Sequence, residues 1–93
     1  MKNFVYVVKN KVCNNRGEVI SGSVLVGIAI TYNSAINEAG SYLMNVPEGS
    51  AIRVWDETEK KKFKKNGEVI HGFTTVYGNL VDYYWIERVE ALA

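Results

Sequence analysis

One stretch of this sequence, Asn33 to Val46, has the three- and four-residue spacing of an amphipathic helix. The apolar or small residues of its stripe are Ile36, Ala39, Gly40, Leu43 and Val46. Asn33 or Ser34 is the expected N-cap, and Pro47 ends the helix because an internal proline loses an intrahelical hydrogen bond. Gly40 lowers helix propensity, so its place on the stripe predicts close packing of the helix onto a sheet.

The rest of the chain has the alternation and composition of β-strands. Six Tyr and two Trp bring the aromatic share to 12%, which favours strands over helices. The predicted strands are Phe4–Val8 with a polar end at Lys9–Lys11, Glu18–Thr31, Ser50–Trp55, Glu68–Tyr77 and Leu80–Leu92. The 93 residues are therefore expected to form a single α+β domain. Its order is ββαβββ, with one antiparallel-rich sheet of about five strands and the helix on one face.

Two similar hexapeptides lie fifty positions apart, Gly17–Gly22 and Gly67–Gly72. Each follows turn-forming residues and leads a strand, and the second begins in the dipeptide Asn66-Gly67, which is typical of a tight hairpin. Two interpretations are open. The match is a coincidence of turn-then-strand chemistry, or it marks a pair of related hairpins on either side of the helix.

Composition excludes several classes of protein. Cys13 is the only cysteine, so an internal disulfide and a cysteine-based metal cage are impossible within one chain. The start of the chain has no apolar leader, and the longest apolar run, Val24 to Ile30, is too short to span a bilayer. These features predict a cytoplasmic protein without membrane contact. A net charge of +1 gives no global attraction for nucleic acid, so such binding would need a local patch.

No catalytic or metal-binding motif of high specificity is present. Cys13 and His71 are the single cysteine and the single histidine, yet no sequence typical of a cysteine enzyme surrounds either one. The acidic cluster at Asp56, Glu57 and Glu59 lacks the spacing and the glycine of a calcium loop. We therefore expect no enzymatic activity, no cofactor, no metal and no small-molecule substrate.

Large aromatic side chains concentrate on the last strands, with Tyr83 and Trp85 on one face of the fifth. If the helix covers the other face, these rings are left as anchors for a protein interface, unless a second small core or a homodimer buries them. The predicted interface consists of the anchors Trp55, Tyr77, Tyr83 and Trp85, with Arg53 and Arg88 at the rim. The leading hypothesis is a small protein-binding module whose partner is a larger protein or a second copy. Short cytosolic chains of this kind are often accessory or inhibitor proteins of phages and mobile elements.

The alternative hypothesis is a nucleic-acid-binding regulator. Five lysines fall within six positions, at Lys60, Lys61, Lys62, Lys64 and Lys65. Such a segment could contact phosphates and would act together with the aromatic sheet face. Asp56, Glu57 and Glu59 neutralise more than half of this charge, so a solvated hairpin tip or a short charged helix is the simpler interpretation.

Overall fold

The computed structural model describes residues 3–65 and 67–91, with the backbone alone for residues 23–25. Its elements, in chain order, are β1 (Asn3–Asn14), β2 (Val19–Ala29), α1 (Tyr32–Met44), β3 (Ala51–Val54), α2 (Glu57–Phe63), β4 (Glu68–Tyr77) and β5 (Leu80–Ala91). The predicted α+β class and the five-stranded antiparallel sheet are confirmed. The order ββαβββ lacks one element, because a second helix, α2, connects β3 to β4.

The five strands form one sheet in the order β2-β1-β5-β4-β3, and every neighbouring pair is antiparallel. The two central strands, β1 and β5, pair along their whole length, from Asn3 opposite Ala91 to Asn14 opposite Leu80. The outer strands differ greatly in length, since β2 has 11 residues and β3 has four. One edge of the sheet is therefore long and the other short.

The predicted helix begins one residue earlier than expected. Thr31 is the N-cap, and its side-chain oxygen accepts a hydrogen bond from the Ser34 backbone N–H at 3.2 Å. The expected caps Asn33 and Ser34 are wrong, because Thr31 keeps an extended backbone and offers the same capping chemistry earlier in the chain. The helix ends at Met44, before Pro47.

The first core lies between α1 and one face of the sheet. Ala35 and Ala39 are the buried helix residues, and they belong to a cluster with Val8, Ala29, Phe73, Tyr84 and Ile86. Gly40 is exposed, and a side chain built on it would meet nothing. The expectation that Gly40 allows close packing is wrong. The helix instead uses its alanines for the close contact, which rotates the buried stripe away from Gly40.

The short helix α2 covers part of the opposite sheet face. Asp56 caps it by accepting a hydrogen bond from the Glu59 backbone N–H at 2.9 Å. Phe63 is the only apolar side chain of this helix and packs against a second core. That core comprises Trp55, Val69 and Trp85, with Tyr83 partly buried beside it. The strands β3 and β4 pair with each other and a helix joins them, while residue 66 of the expected hairpin turn lies outside the described residues.

Gly67 and Gly72 are held by their neighbours, unlike their counterparts Gly17 and Gly22. A Cβ at Gly72 would overlap the ring of Trp55, and one at Gly67 would overlap the backbone carbonyl of Arg88. Gly17 instead has a positive φ of 83° in an open turn, and Gly22 has open space around it. The two hexapeptides thus occupy unlike surroundings, which favours the interpretation that their similarity is coincidental.

Candidate protein interface

Two of the predicted interface anchors are buried. Trp55 and Trp85 are each 3% exposed, and their rings stack with centroids 5.8 Å apart. Phe63 lies over the Trp55 ring at 4.4 Å. The expectation that these indoles are available to a partner is wrong, because α2 covers them. They form the second small core that was the alternative interpretation of this face.

The other predicted anchors and rim residues are dispersed. Tyr83 is half-buried beside Phe63, whereas Tyr77 is exposed and lies at the β4–β5 turn, opposite Leu80. Arg53 forms an ion pair with Glu59 of α2. The structure therefore places Tyr83 with the two tryptophans and leaves Tyr77 at a different part of the surface.

Arg88, the second predicted rim residue, lies on the far part of β5. Its guanidinium donates to the Glu68 carboxylate at 2.6 Å and sits 4.7 Å from the ring centroid of Phe4. Both contacts are with residues of this chain, and a cation above an aromatic face is weakly stabilising. Arg88 is thus already engaged, away from the Trp55 cluster.

The lysine segment forms the outer side of α2 and the residues after it. Lys60 donates to Glu57 at 3.2 Å, while the other four lysines are exposed. Lys60, Lys61 and Lys64 line a cleft of about 300 Å³ that Glu57 and Glu68 also border. The interpretation as a short charged helix is correct for 57–63. Trp55 and Trp85 are buried, so these two rings are not available to stack on bases.

The structure does not bring Cys13 and His71 together. Cys13 is buried opposite Val81, and His71 lies opposite Ile86, five residues further along β5 and on the other face. Five strand residues span roughly 17 Å. The His71 ring lies 3.0 Å from the Tyr32 hydroxyl. Within the part of the chain described, no group of three His, Cys, Asp or Glu side chains could hold a metal.

Among the described residues, α2 and the second core cover β4 and β5 on one face of the sheet. On its other half, Ile28 of β2 lies opposite Val7 of β1, so both side chains point to this face. Ile28 is 62% exposed, and its neighbours Val26 and Ile30 are 48% and 81% exposed. We call Val26, Ile28, Ile30 and Val7 together the β2 surface. Large exposed apolar patches on protein surfaces are typical of interaction sites.

The outer edge of β2 lacks two usual protections of an edge strand, charge and proline. No charged residue and no proline occurs from Val19 to Asn37, although natural edge strands commonly use lysine, proline or short length to prevent pairing. Pairing with β1 is regular where Tyr6–Val8 face Gly27–Ala29, and its irregularities begin after Val8. The regular, uncharged part of the edge is therefore 27–29, which contains Ile28; Val26 lies at the first irregularity and Ile30 follows the end of the strand.

The sequence pattern contained a sign of this surface. Val26, Ile28 and Ile30 alternate with the smaller residues Gly27 and Ala29. Ordinarily the larger residues face the core, but here Ala29 is buried against α1 and the larger residues are exposed. The reason is the helix, whose carboxylate Glu38 lies so near Gly27 that a Cβ there would be crowded. On β2, the face near α1 holds the small residues Gly27 and Ala29.

A buried ion pair separates the β2 surface from the second core. Glu87 is fully buried, and its carboxylate accepts from Lys9 Nζ at 3.1 Å and from the Gly67 backbone N–H at 2.7 Å. Pairing and hydrogen bonds offset the cost of removing a carboxylate from water. Because Lys9 is bound to Glu87, its charge is directed away from the apolar residues of β2.

Comparison of the chain with protein-family models, curated proteins and solved structures gives no significant match. No helix within residues 3–65 and 67–91 is long and apolar enough to cross a membrane. The fold defines a small α+β protein with one helix on each face of a five-stranded sheet. Its distinguishing surface is the long, uncharged edge strand.

Proposed function

We propose that this protein is a protein-binding module that forms a homodimer by antiparallel pairing of β2 with β2 of a second copy. The observation that supports the proposal most strongly is the exposure of Ile28, with exposed Val26 and Ile30 on either side, at an uncharged edge whose pairing with β1 is regular over 27–29. The proposal keeps the expected class of function and moves the interface from the aromatic face to the β2 surface.

Strand pairing would satisfy the backbone of this edge. Alternate N–H and C=O groups of β2 point away from β1, and an added strand supplies their hydrogen-bond partners. Residues 27–29 would lie at the centre of the contact, because their pairing with β1 has no bulge that would bend the edge.

A second copy fits this edge better than a charged partner would. In a twofold antiparallel pair each residue faces a residue of the same strand, and like charges placed opposite each other are destabilising. Since β2 has no charged side chain, self-pairing avoids this repulsion. The exposed Ile28 side chains of the two copies would be buried on one face of a continuous sheet, which removes apolar surface from water.

Size-exclusion chromatography with light scattering tests the proposal. The wild-type protein should have the mass of a dimer, and Ile28→Lys should have that of a monomer, because an edge lysine prevents strand pairing. Ile52→Lys is the matched control: Ile52 is also on an edge strand and 50% exposed, but on β3. It should leave the dimer intact. A monomeric wild-type protein at high concentration would refute the proposal, as would dissociation by Ile52→Lys.

Nucleic-acid binding is the second candidate, supported by the convergence of Lys60, Lys61 and Lys64 on one cleft. Because Trp55 and Trp85 are buried, this candidate does not use them to stack on bases. Binding would depend on phosphate contacts and weaken steeply with salt. Fluorescence anisotropy with labelled single- and double-stranded probes at low salt would test it. A variant with Lys61 and Lys64 changed to glutamine should lose this binding. Absence of wild-type binding would exclude this candidate.

A further inference from the structure

A cleft lies between the C-terminal end of α1, the loop that follows α1 and the β4–β5 hairpin. Its volume is about 280 Å³. The residues that line it include Tyr42, Pro47, Tyr77, Leu80 and Asp82. The walls are largely apolar or aromatic, and Asp82 is the only charged residue among those that line the cleft.

Asp82 is half-buried and held by neutral donors. Its Oδ1 accepts a hydrogen bond from the side-chain amide of Asn10, and its Oδ2 accepts one from the hydroxyl of Tyr42. Among the described residues there are four ion pairs, and Asp82 belongs to none of them. Neutral donors orient a carboxylate without cancelling its charge. The cleft therefore has a fixed negative group with acceptor capacity left on both oxygens.

Tyr42 is a fixed hydrogen-bond donor to Asp82. Burial, together with the hydrogen bond and the negative charge of Asp82, raises the pKa of Tyr42 well above its ordinary value. The phenol therefore stays protonated and acts as a donor at neutral pH. Its ring, which stacks on Tyr84 at 4.2 Å, is fixed beside the carboxylate.

We propose that this cleft binds a cationic group on an apolar stem, an alkylammonium or guanidinium, which pairs with Asp82 while its stem contacts Pro47 and Leu80. The rings of Tyr42 and Tyr77 add a surface that favours cations. A divalent metal ion is a poor fit, since one carboxylate supplies too few of the six to eight oxygen ligands of calcium. This site is independent of the proposed dimer, which uses the opposite edge of the sheet.

Two-dimensional NMR of the ¹⁵N-labelled protein tests this proposal, and the monomeric Ile28→Lys variant serves as the host so that dimerisation does not affect the spectra. Titration with butylammonium or butylguanidinium should shift the amide signals of Tyr77, Leu80 and Asp82. Butanol, a neutral molecule of similar length, should not. Equal shifts with butanol would overturn the proposal, as would the absence of shifts with either cation.

Two variants distinguish an ion pair with Asp82 from nonspecific electrostatic attraction of the cation. Asp82→Asn should weaken butylammonium binding at least tenfold, whereas Glu90→Gln removes an exposed carboxylate of the same strand and should leave binding unchanged. If Asp82→Asn does not fold, Leu80→Lys provides the test. The ammonium group of the new lysine should occupy the cleft and prevent butylammonium from binding. Unchanged binding in Asp82→Asn or in Leu80→Lys would overturn the proposal.

The natural source of the cation is a free amine or a side chain of a protein. N-acetyl-lysine methylamide carries the same butylammonium group as a side chain, on a backbone with an amide bond on each side. If it binds more tightly than butylammonium, the site recognises a basic side chain. If it binds more weakly, the site recognises a free amine. Both results support binding of the cation and differ only in its source.

Discussion

Gly72→Ala should be strongly destabilising because Trp55 packs directly on the Gly72 backbone. A Cβ at this position would overlap the indole ring, and the ring has little freedom to move. The Trp55 backbone N–H donates to the Gly72 carbonyl at 2.8 Å, and the indole Nε1–H donates to Thr74 Oγ1 at 2.8 Å. Trp55 is also enclosed by the rings of Phe63 and Trp85.

Overpacking a core by one methyl group costs about 1–3 kcal/mol. Because two hydrogen bonds fix Trp55, we expect the upper value, about 3 kcal/mol. For a domain of this size that corresponds to a fall in melting temperature of roughly 12–24 °C. Urea denaturation followed by tryptophan fluorescence and by circular dichroism should give this difference in the free energy of unfolding.

Gly22→Ala is the matched control, since it changes the same position of the similar hexapeptide. Its Cβ would meet nothing, and replacing a strand glycine limits the freedom of the unfolded chain. The free energy of unfolding should therefore change by less than about 0.5 kcal/mol or rise slightly. If the two alanine variants had the same stability, the packing of Trp55 on Gly72 would be refuted.

Two further predictions concern the two cores. Phe63→Ala should lower the free energy of unfolding by about 2 kcal/mol, since Phe63 is partly buried, and should shift tryptophan emission to the red. Lys62→Ala changes an exposed residue and should alter neither the stability nor the emission. An unchanged emission spectrum in Phe63→Ala would contradict the covering of Trp55 and Trp85 by α2. Burial, and then the charge of Glu38, raises the pKa of Tyr84 to about 12. The stabilising contribution of neutral Tyr84 is complete below pH 10 and declines by about 1.4 kcal/mol per pH unit up to pH 12. Urea titrations at pH 8, 10 and 11 should show a decline to which Tyr42, whose pKa is also raised, contributes as well, and Tyr84→Phe should remove the Tyr84 contribution; an equal slope in both proteins would be inconsistent with this burial.

Much of the fold could be predicted from the sequence, because local patterns determine it. The spacing of Ile36, Ala39 and Leu43 placed α1, and the strand Glu68–Tyr77 has the predicted bounds. The helix α2 was harder to predict, since Phe63 is the single apolar residue of a charged run. One such residue gives no periodicity, and its importance depends on Trp55 and Trp85, which are distant in sequence.

The site was less predictable than the fold. Alternation in a strand shows that Ile28 and Ala29 face opposite sides, but it does not say which side a helix will cover. Aromatic residues suggested that the Trp55 face was the interface, and a short helix outside the predicted order covers that face. Which apolar face stays exposed depends on the assembled sheet. The role of Asp82 in the cleft could not be predicted either, since its hydrogen-bond donors Asn10 and Tyr42 are far from it in the sequence.

Amide hydrogen exchange of the wild-type protein at low and at high concentration tests the proposed β2 pairing most directly. The β2 amides of segment 26–30 that are not bonded to β1 should exchange more slowly at high concentration, because a second copy would accept their hydrogen bonds. The amides of Ala51–Val54 at the β3 edge should exchange at the same rate in both samples. If the segment 26–30 amides exchanged at rates independent of concentration, the β2 edge would be unpaired and the central proposal would be wrong.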